Sequence, residues 1–286
     1  MTLDERIQKD LLELYNGGDN QGEIQDAVAL NGLIQTKPGQ TSFATKALPG
    51  YYAGDRKAKT VIVMLNPGCD VDEANDNLTC DICKRSMKNA ADIDKYHKWC
   101  VEYGHIDRNR KDNFDLKQAF FLHQWKDTGI SLPKNLSANP KNDQTLLDAK
   151  EAVLTQKLQL ELIPYASSSF SLIDKSKMHL LFPFVETMLN EIFSHERNYV
   201  IFCSRIFERV LKEYEKKHAG TIVFKGTCSQ QLEGSKITGS CTKIQINYNN
   251  KSLDAIIANT FPHQALPNAY DLMEKYGAFC YKNYNS

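Results

Sequence analysis

The chain has 286 residues, 42% of them hydrophobic and 24% charged, which is the composition of an ordinary globular protein long enough for one large domain. Its 35 Lys and Arg balance 35 Asp and Glu, so wrapping nucleic acid by bulk positive charge is excluded and any such contact must come from a local patch. A charged start and the lack of any apolar run near 18 residues lead us to expect a cytoplasmic protein with no membrane span, whose eight cysteines are thiols or metal ligands.

Leu3, Ile7, Leu11, Leu12 and Tyr15 recur at helical spacing and predict a helix over 3–15, closed by Gly17-Gly18. Residues 18–58 read as loop, with turn signals at Pro38-Gly39 and Pro49-Gly50, so 1–57 form an N-terminal helical and loop segment. Thr60-Val61-Ile62-Val63-Met64 is short, apolar and β-branched, the pattern of a strand buried on both faces. It stops on Leu65-Asn66-Pro67-Gly68-Cys69, where Pro sets φ and Gly tolerates a turn. Residues 69–115 are polar and cysteine-bearing and read as an insertion. A helix over 116–126 carries the aromatic face Phe120, Phe121 and Trp125, a loop covers 131–144, and a helix follows over 145–157.

A second buried strand over 158–163 ends in Pro164-Tyr165-Ala166-Ser167-Ser168. A helix at 180–196, a third strand at 199–203 and a helix at 206–217 come next. Residues 221–224 and 241–248 read as short edge strands, 255–259 as a fourth buried strand, and 268–284 as the closing helix. Four short apolar strands alternating with helices predict a single α/β domain over 1–286, with a parallel sheet covered on both faces. In such sheets ligands sit just outside the carboxyl ends of the strands, which is where Asn66 falls. No phosphate loop of the G-x-x-x-x-G-K-[ST] or G-x-G-x-x-G type is present, which argues against an NTPase or a dinucleotide enzyme.

Three strand ends carry related turns: Leu65-Asn66-Pro67-Gly68, Ile163-Pro164-Tyr165-Ala166-Ser167, and Phe261-Pro262-His263-Gln264-Ala265-Leu266-Pro267. In their order and spacing, over roughly residues 58–275, they resemble the motifs of the uracil-DNA glycosylase superfamily, and most of all its mismatch-specific thymine/uracil branch with an Asn-Pro-Gly first motif. The chain departs from that family in two places. His263 follows the proline of the last motif instead of preceding it, and 69–115 has no counterpart in the common branches.

The resemblance implies a three-layer α/β/α fold around a central four-stranded parallel sheet. It implies a monofunctional DNA glycosylase that acts as a monomer on double- or single-stranded DNA, needs no catalytic cofactor and leaves an abasic site. Cleavage of the N-glycosidic bond passes through an oxocarbenium-like sugar and needs a positioned water and a stabilised leaving base. Asn66 would orient the water through a hydrogen bond alone, so turnover should be slow. His263 either donates to the departing base or is a loop histidine bonded to backbone. Pro67, Gly68, Tyr165 and Ser167 would line the base pocket, Tyr165 either stacking on the base or capping the core. Leu266 is either the wedge that fills the gap left by a flipped base or a core leucine at a helix start.

Uracil-specific members carry a bulky aromatic where this chain has Gly68. A pocket without that block should admit C5 substituents, which points to a modified or mismatched pyrimidine. A defence glycosylase acting on hypermodified phage cytosine is one biological form of this reading.

Cys80 and Cys83, then thirteen residues, then His97 and Cys100 form two short-spaced pairs, the pattern of a structural zinc site, with Cys69 and His105 as substitutes. An iron–sulfur cluster on Cys69, Cys80, Cys83 and Cys100 is the alternative metal reading, and reduced thiols on a helix face the plain one. Cys203, Cys228, Cys241 and Cys280 read as small core residues. Lys84, Arg85 and Lys88 are candidates for phosphate contact, as is Arg205, although Glu208, Glu213 and Glu215 make its helix look like a solvated face. Three rivals to the glycosylase are a non-catalytic nucleic-acid or nucleotide binder on the same fold, a defence-related interaction protein that uses 69–115, and an enzyme with Cys69 as nucleophile. The last needs an adjacent base that the sequence does not supply.

Overall fold

A computed structural model describes residues 1–15, 22–31, 43–68, 92–102, 114–134, 136, 144–167, 175–259 and 270–286. Among them are helices α1 (Leu3–Leu14), α2 (Gln25–Asn31), α3 (Ile93–Glu102), α4 (Phe114–Leu122), α5 (Gln144–Gln156), α6 (Phe182–Phe193), α7 (Ile206–Lys217) and α8 (Tyr270–Tyr284), with a 3-10 helix at Lys175–Leu181. The strands are β1 (Tyr52–Gly54), β2 (Thr60–Met64), β3 (Leu158–Glu161), β4 (Tyr199–Cys203), β5 (Ile222–Gln231), β6 (Thr238–Tyr248) and β7 (Lys251–Ala258).

The protein is of mixed α and β content, and the strands among the described residues form one seven-stranded sheet in the order β1-β3-β2-β4-β7-β6-β5. The four strands expected from the sequence are neighbours within it, in the order β3-β2-β4-β7. β2, β4 and β7 are parallel, with Thr60 opposite Tyr199 and Ile201 opposite Ile256. The expected four-stranded parallel sheet is corrected by an antiparallel extension: β6 pairs β7, and β5 pairs β6. The segments read as short edges are strands of ten and eleven residues. β6 buries Ile244 and Ile246 between half-buried neighbours, and buries Cys241 and Thr242 side by side before them. β5 is polar and exposed from Lys225 to Gln231, so its backbone ladder to β6 holds it, without an apolar pattern. β6 turns into β7 at Asn249-Asn250, both at positive φ (49° and 60°), the geometry of a tight hairpin.

By packing, the chain divides into two compact units. The first comprises Met1–Ala53, Met64–Tyr103 and Leu160–Glu191. Its helix α1 opens with a capping box: Thr2 Oγ1 accepts from Glu5 N, and Glu5 accepts from Thr2 N. The helix buries Leu3, Ile7, Leu11 and Leu14, and Arg6 and Asp10 with them. Within the segment read as an insertion, α3 is a core helix that packs against α1 and buries Tyr96 and Cys100.

The second unit comprises Gly54–Val63, Gly104–Gln159 and Ile192–Ser286. Here α8 packs on β6, β7 and α4. At Gly277 the two helices touch almost backbone to backbone, since a Cβ there would lie 1.8 Å from Phe121 O. The aromatic face of 116–126 forms this core: Phe120 stacks on Tyr270 at 4.7 Å, and Trp125 meets Tyr199, Tyr281 and Tyr284. Trp125 Nε1 donates to Gly277 O at 2.9 Å, which satisfies its one polar atom. Cys203, Cys241 and Cys280 are buried as expected, whereas Cys228 is exposed on β5.

Candidate functional site

In the first unit, the chain leaving β2 and the chain leaving β3 run side by side. Ile163 N donates to Leu65 O at 2.9 Å and Ser167 N to Pro67 O at 3.1 Å, and Gly68 and Ser167 form a parallel bridge. This brings Asn66 to the turn 164–167. Its Nδ2 donates to Ser167 Oγ at 2.8 Å and Pro67 O at 3.0 Å, with Tyr165 O at 3.4 Å. Two of these acceptors are carbonyls, so the amide nitrogen must be on this side. The half-buried side chain therefore presents Oδ1 the other way, and among the described residues that oxygen has no partner. The amide is thus fixed at its donor end and able to accept at the other. Beside it, Gly68 is exposed, and a Cβ built there meets no atom of the described residues within 4 Å.

Each residue of the 164–166 stretch has its own anchor. Gly50 N donates to Pro164 O at 2.7 Å and Ala44 N to Ala166 O at 2.9 Å. Between them, the Tyr165 hydroxyl donates to Asp10 Oδ2 at 2.8 Å. The same oxygen accepts from Tyr51 at 2.6 Å. Tyr165 is 1% exposed and edge-on to Phe184, so its ring is in the core, and its carbonyl accepts from Asn66.

Asp10 is 0% exposed. Burial pushes its carboxyl up from an ordinary 3.8 to about 7; the two tyrosine hydroxyls oppose this, Asp26 adds to it and Lys9 opposes it. Burial also drives both tyrosines well above their usual range, so they stay protonated and donate. No cation among the described residues bonds Asp10. Arg6 bonds Asp26 at 2.8 Å and Thr187 at 3.1 Å with its guanidinium over Phe184, and Lys9 pairs Asp26 at 2.9 Å. Sequence reasoning passed over Asp10. The available signal was a carboxylate on the buried stripe of α1, one turn from Ile7 and Leu14.

No family model, curated protein or solved structure matches this chain.

The remaining expected site residues are not gathered at Asn66. His97 lies on α3, its Nδ1 2.7 Å from Tyr52 Oη and its Nε2 3.4 Å from the Asp4 carboxylate; Cys100, one turn on, is buried. Cys80 and Cys83, with the substitutes Cys69 and His105, lie outside the described residues, as do Lys84, Arg85, Lys88, His263 and Leu266. Among the described residues no group of three or more His, Cys, Asp or Glu could hold a metal ion. Arg205 belongs to the second unit, where it pairs with Glu208 at 2.7 Å and donates to Ser240 Oγ at 2.7 Å. No helix among the described residues is long and apolar enough to cross a membrane.

Proposed function

We propose that this protein is a monofunctional DNA glycosylase that excises a modified or mismatched pyrimidine and uses Asn66 to hold the attacking water. The observation that carries this reading is the oriented amide, fixed by Ser167 Oγ and Pro67 O with Oδ1 left to accept. Its place also supports it. Asn66 follows the carboxyl end of β2, and in open α/β sheets ligands sit just outside the carboxyl ends of the strands. The run β3-β2-β4-β7 within the sheet is compatible with the three-layer glycosylase-like fold.

In this mechanism the target base is flipped out of the stack. The bond from C1′ to the base nitrogen breaks, and the base departs with the electron pair. The sugar passes through an oxocarbenium-like state. Asn66 Oδ1 accepts one hydrogen of a water and so aims its lone pair at C1′. An amide cannot take the water's proton, so that proton passes to solvent and turnover is slow. Donors on 260–269, His263 among them, would stabilise the departing anion.

Among the described residues no atom lies within 4 Å of a Cβ at Gly68, which supports the acceptance of C5 substituents and with it a role against phage DNA that carries hypermodified cytosine. Cys80, Cys83, His97 and Cys100 would hold a structural zinc, for which metal analysis of wild type and Cys80→Ser is the test.

Base release decides the reading. Wild type and Asn66→Ala would be incubated with duplexes and single strands carrying uracil, mismatched thymine, or hydroxymethylated or glucosylated cytosine. Abasic sites would be read by alkaline cleavage. Cleavage by wild type that Asn66→Ala loses is the expected result. DNA binding with no abasic site on any substrate would leave a non-catalytic binder on the same fold.

A further inference from the structure

The carboxylate that α1 buries near this site takes no part in the chemistry above, yet it is placed to control it. Asp10 accepts from Tyr51 and Tyr165 on one oxygen, and its other oxygen has no partner among the described residues. A buried carboxylate with half its acceptor capacity unused is costly, and a residue kept only for packing would be apolar. What it holds is specific. Tyr165 is the one residue between two backbone anchors, Gly50 N on Pro164 O and Ala44 N on Ala166 O. Its own carbonyl and the adjacent Ser167 hydroxyl receive the Asn66 amide.

We propose that Asp10 is a positioning residue of the Asn66 site: by clamping the Tyr165 hydroxyl it fixes the turn whose carbonyl and hydroxyl aim the Asn66 amide. The activity arm of the test rests on the glycosylase reading, and the spectroscopic arm does not.

The clamp changes strength with charge. An ionised acceptor makes shorter hydrogen bonds, roughly twice as strong as neutral ones. The groups that act on Asp10 are Tyr51 from the segment before β1, Tyr165 from the turn, Asp26 from α2, and Lys9 from α1 itself, while Arg6 of α1 acts on Tyr51. Both tyrosines stay neutral, and Arg6 and Lys9 are paired with Asp26, so the clamp tightens when Asp10 itself ionises, near neutrality. Base release should rise as pH passes through that range.

The test uses Asp10→Asn and Tyr165→Phe in the full chain. The Asn66 side-chain amide would be followed in 15N–1H spectra, assigned by its absence in Asn66→Ala, with the Trp125 indole N–H, bonded to Gly277 O in the second unit, as the control for folding. The expected result is that the Asn66 amide signals move in both variants while the indole signal stays. In wild type they titrate near neutrality, and in Asp10→Asn they do not. Base release by Asp10→Asn should be about tenfold lower at pH 8, without the wild-type rise. Unmoved Asn66 signals in folded variants, or a wild-type rate and pH profile in Asp10→Asn, would overturn the proposal. If wild type releases no base at all, the glycosylase reading fails, while the spectra still decide whether Asp10 positions Asn66.

Discussion

Asp10→Asn should make this protein more stable above neutrality, although it removes two charge-assisted hydrogen bonds. The unfolded carboxyl titrates near 3.8 and the folded one at about 7. Between those values the folded state holds a proton that the unfolded state has released, so stability is full below about pH 4, falls as pH rises to about 7, and then levels. At about 1.4 kcal/mol for each factor of ten in proton activity, the whole displacement amounts to about 4 kcal/mol, of which about 3 falls between pH 5 and 8. The asparagine cannot ionise and escapes this loss. Its NH2 would sit where Oδ1 now has no described partner, at a cost of about 1–3 kcal/mol, leaving a net gain of about 1–3 kcal/mol at pH 8. Urea unfolding of both proteins at pH 5, 6, 7 and 8 measures the difference directly, because titrations elsewhere in the chain are common to both. A difference that stays constant across that range would refute the argument, whatever its size.

Asn66→Ala should lower base release at least about a hundredfold while changing stability by no more than about 1.5 kcal/mol, since the side chain is half-buried; abasic-site and urea assays check both, and undiminished release would remove the water-holding role. Gly68→Phe should fold, because no atom of the described residues lies within 4 Å of the new Cβ, and should lower release of glucosylated cytosine at least about tenfold relative to uracil. Equal losses on both bases would end the steric account of specificity. Gly277→Ala should destabilise the protein by about 3 kcal/mol, because the methyl meets the Phe121 carbonyl, and a wild-type thermal midpoint would mean that α8 can move away from α4 at little cost.

β2, β4 and β7 were legible because strands buried on both faces read as unbroken apolar runs, and α1 and α4 to α8 because apolar residues recur along them, whereas α2 and α3 fall in segments read as loop and insertion. β5 was not legible. Thr227, Ser229, Gln230 and Gln231 are exposed, and what makes them a strand is pairing to β6, which lies in the backbone. The polar first half of β7 escaped for the same reason, as did the turn at Asn249-Asn250. Asn66 and Ser167 were each marked by a proline-bearing strand end. Their meeting depends on two strand tails aligned across a hundred residues of sequence, which no local pattern encodes. Asp10 and Arg6 were hidden because an amphipathic stripe is read for its apolar members, and polar residues on it pass unnoticed.

The antiparallel extension also bears on how the protein behaves in a crowded solution. Without β5 and β6, the free edge on that side of the sheet would be β7, whose last four residues are Ala255, Ile256, Ile257 and Ala258, an open invitation to pair with another chain. With them, the outermost strand bears Lys225, Thr227, Ser229, Gln230 and Gln231, and it is kinked by a bulge between Phe224 and Gly226, where Gly226 supplies a φ of +145°. A polar, kinked border is a poor template for a neighbour's strand. The hairpin thus covers the apolar end of β7 with a border that offers a neighbour little to pair with.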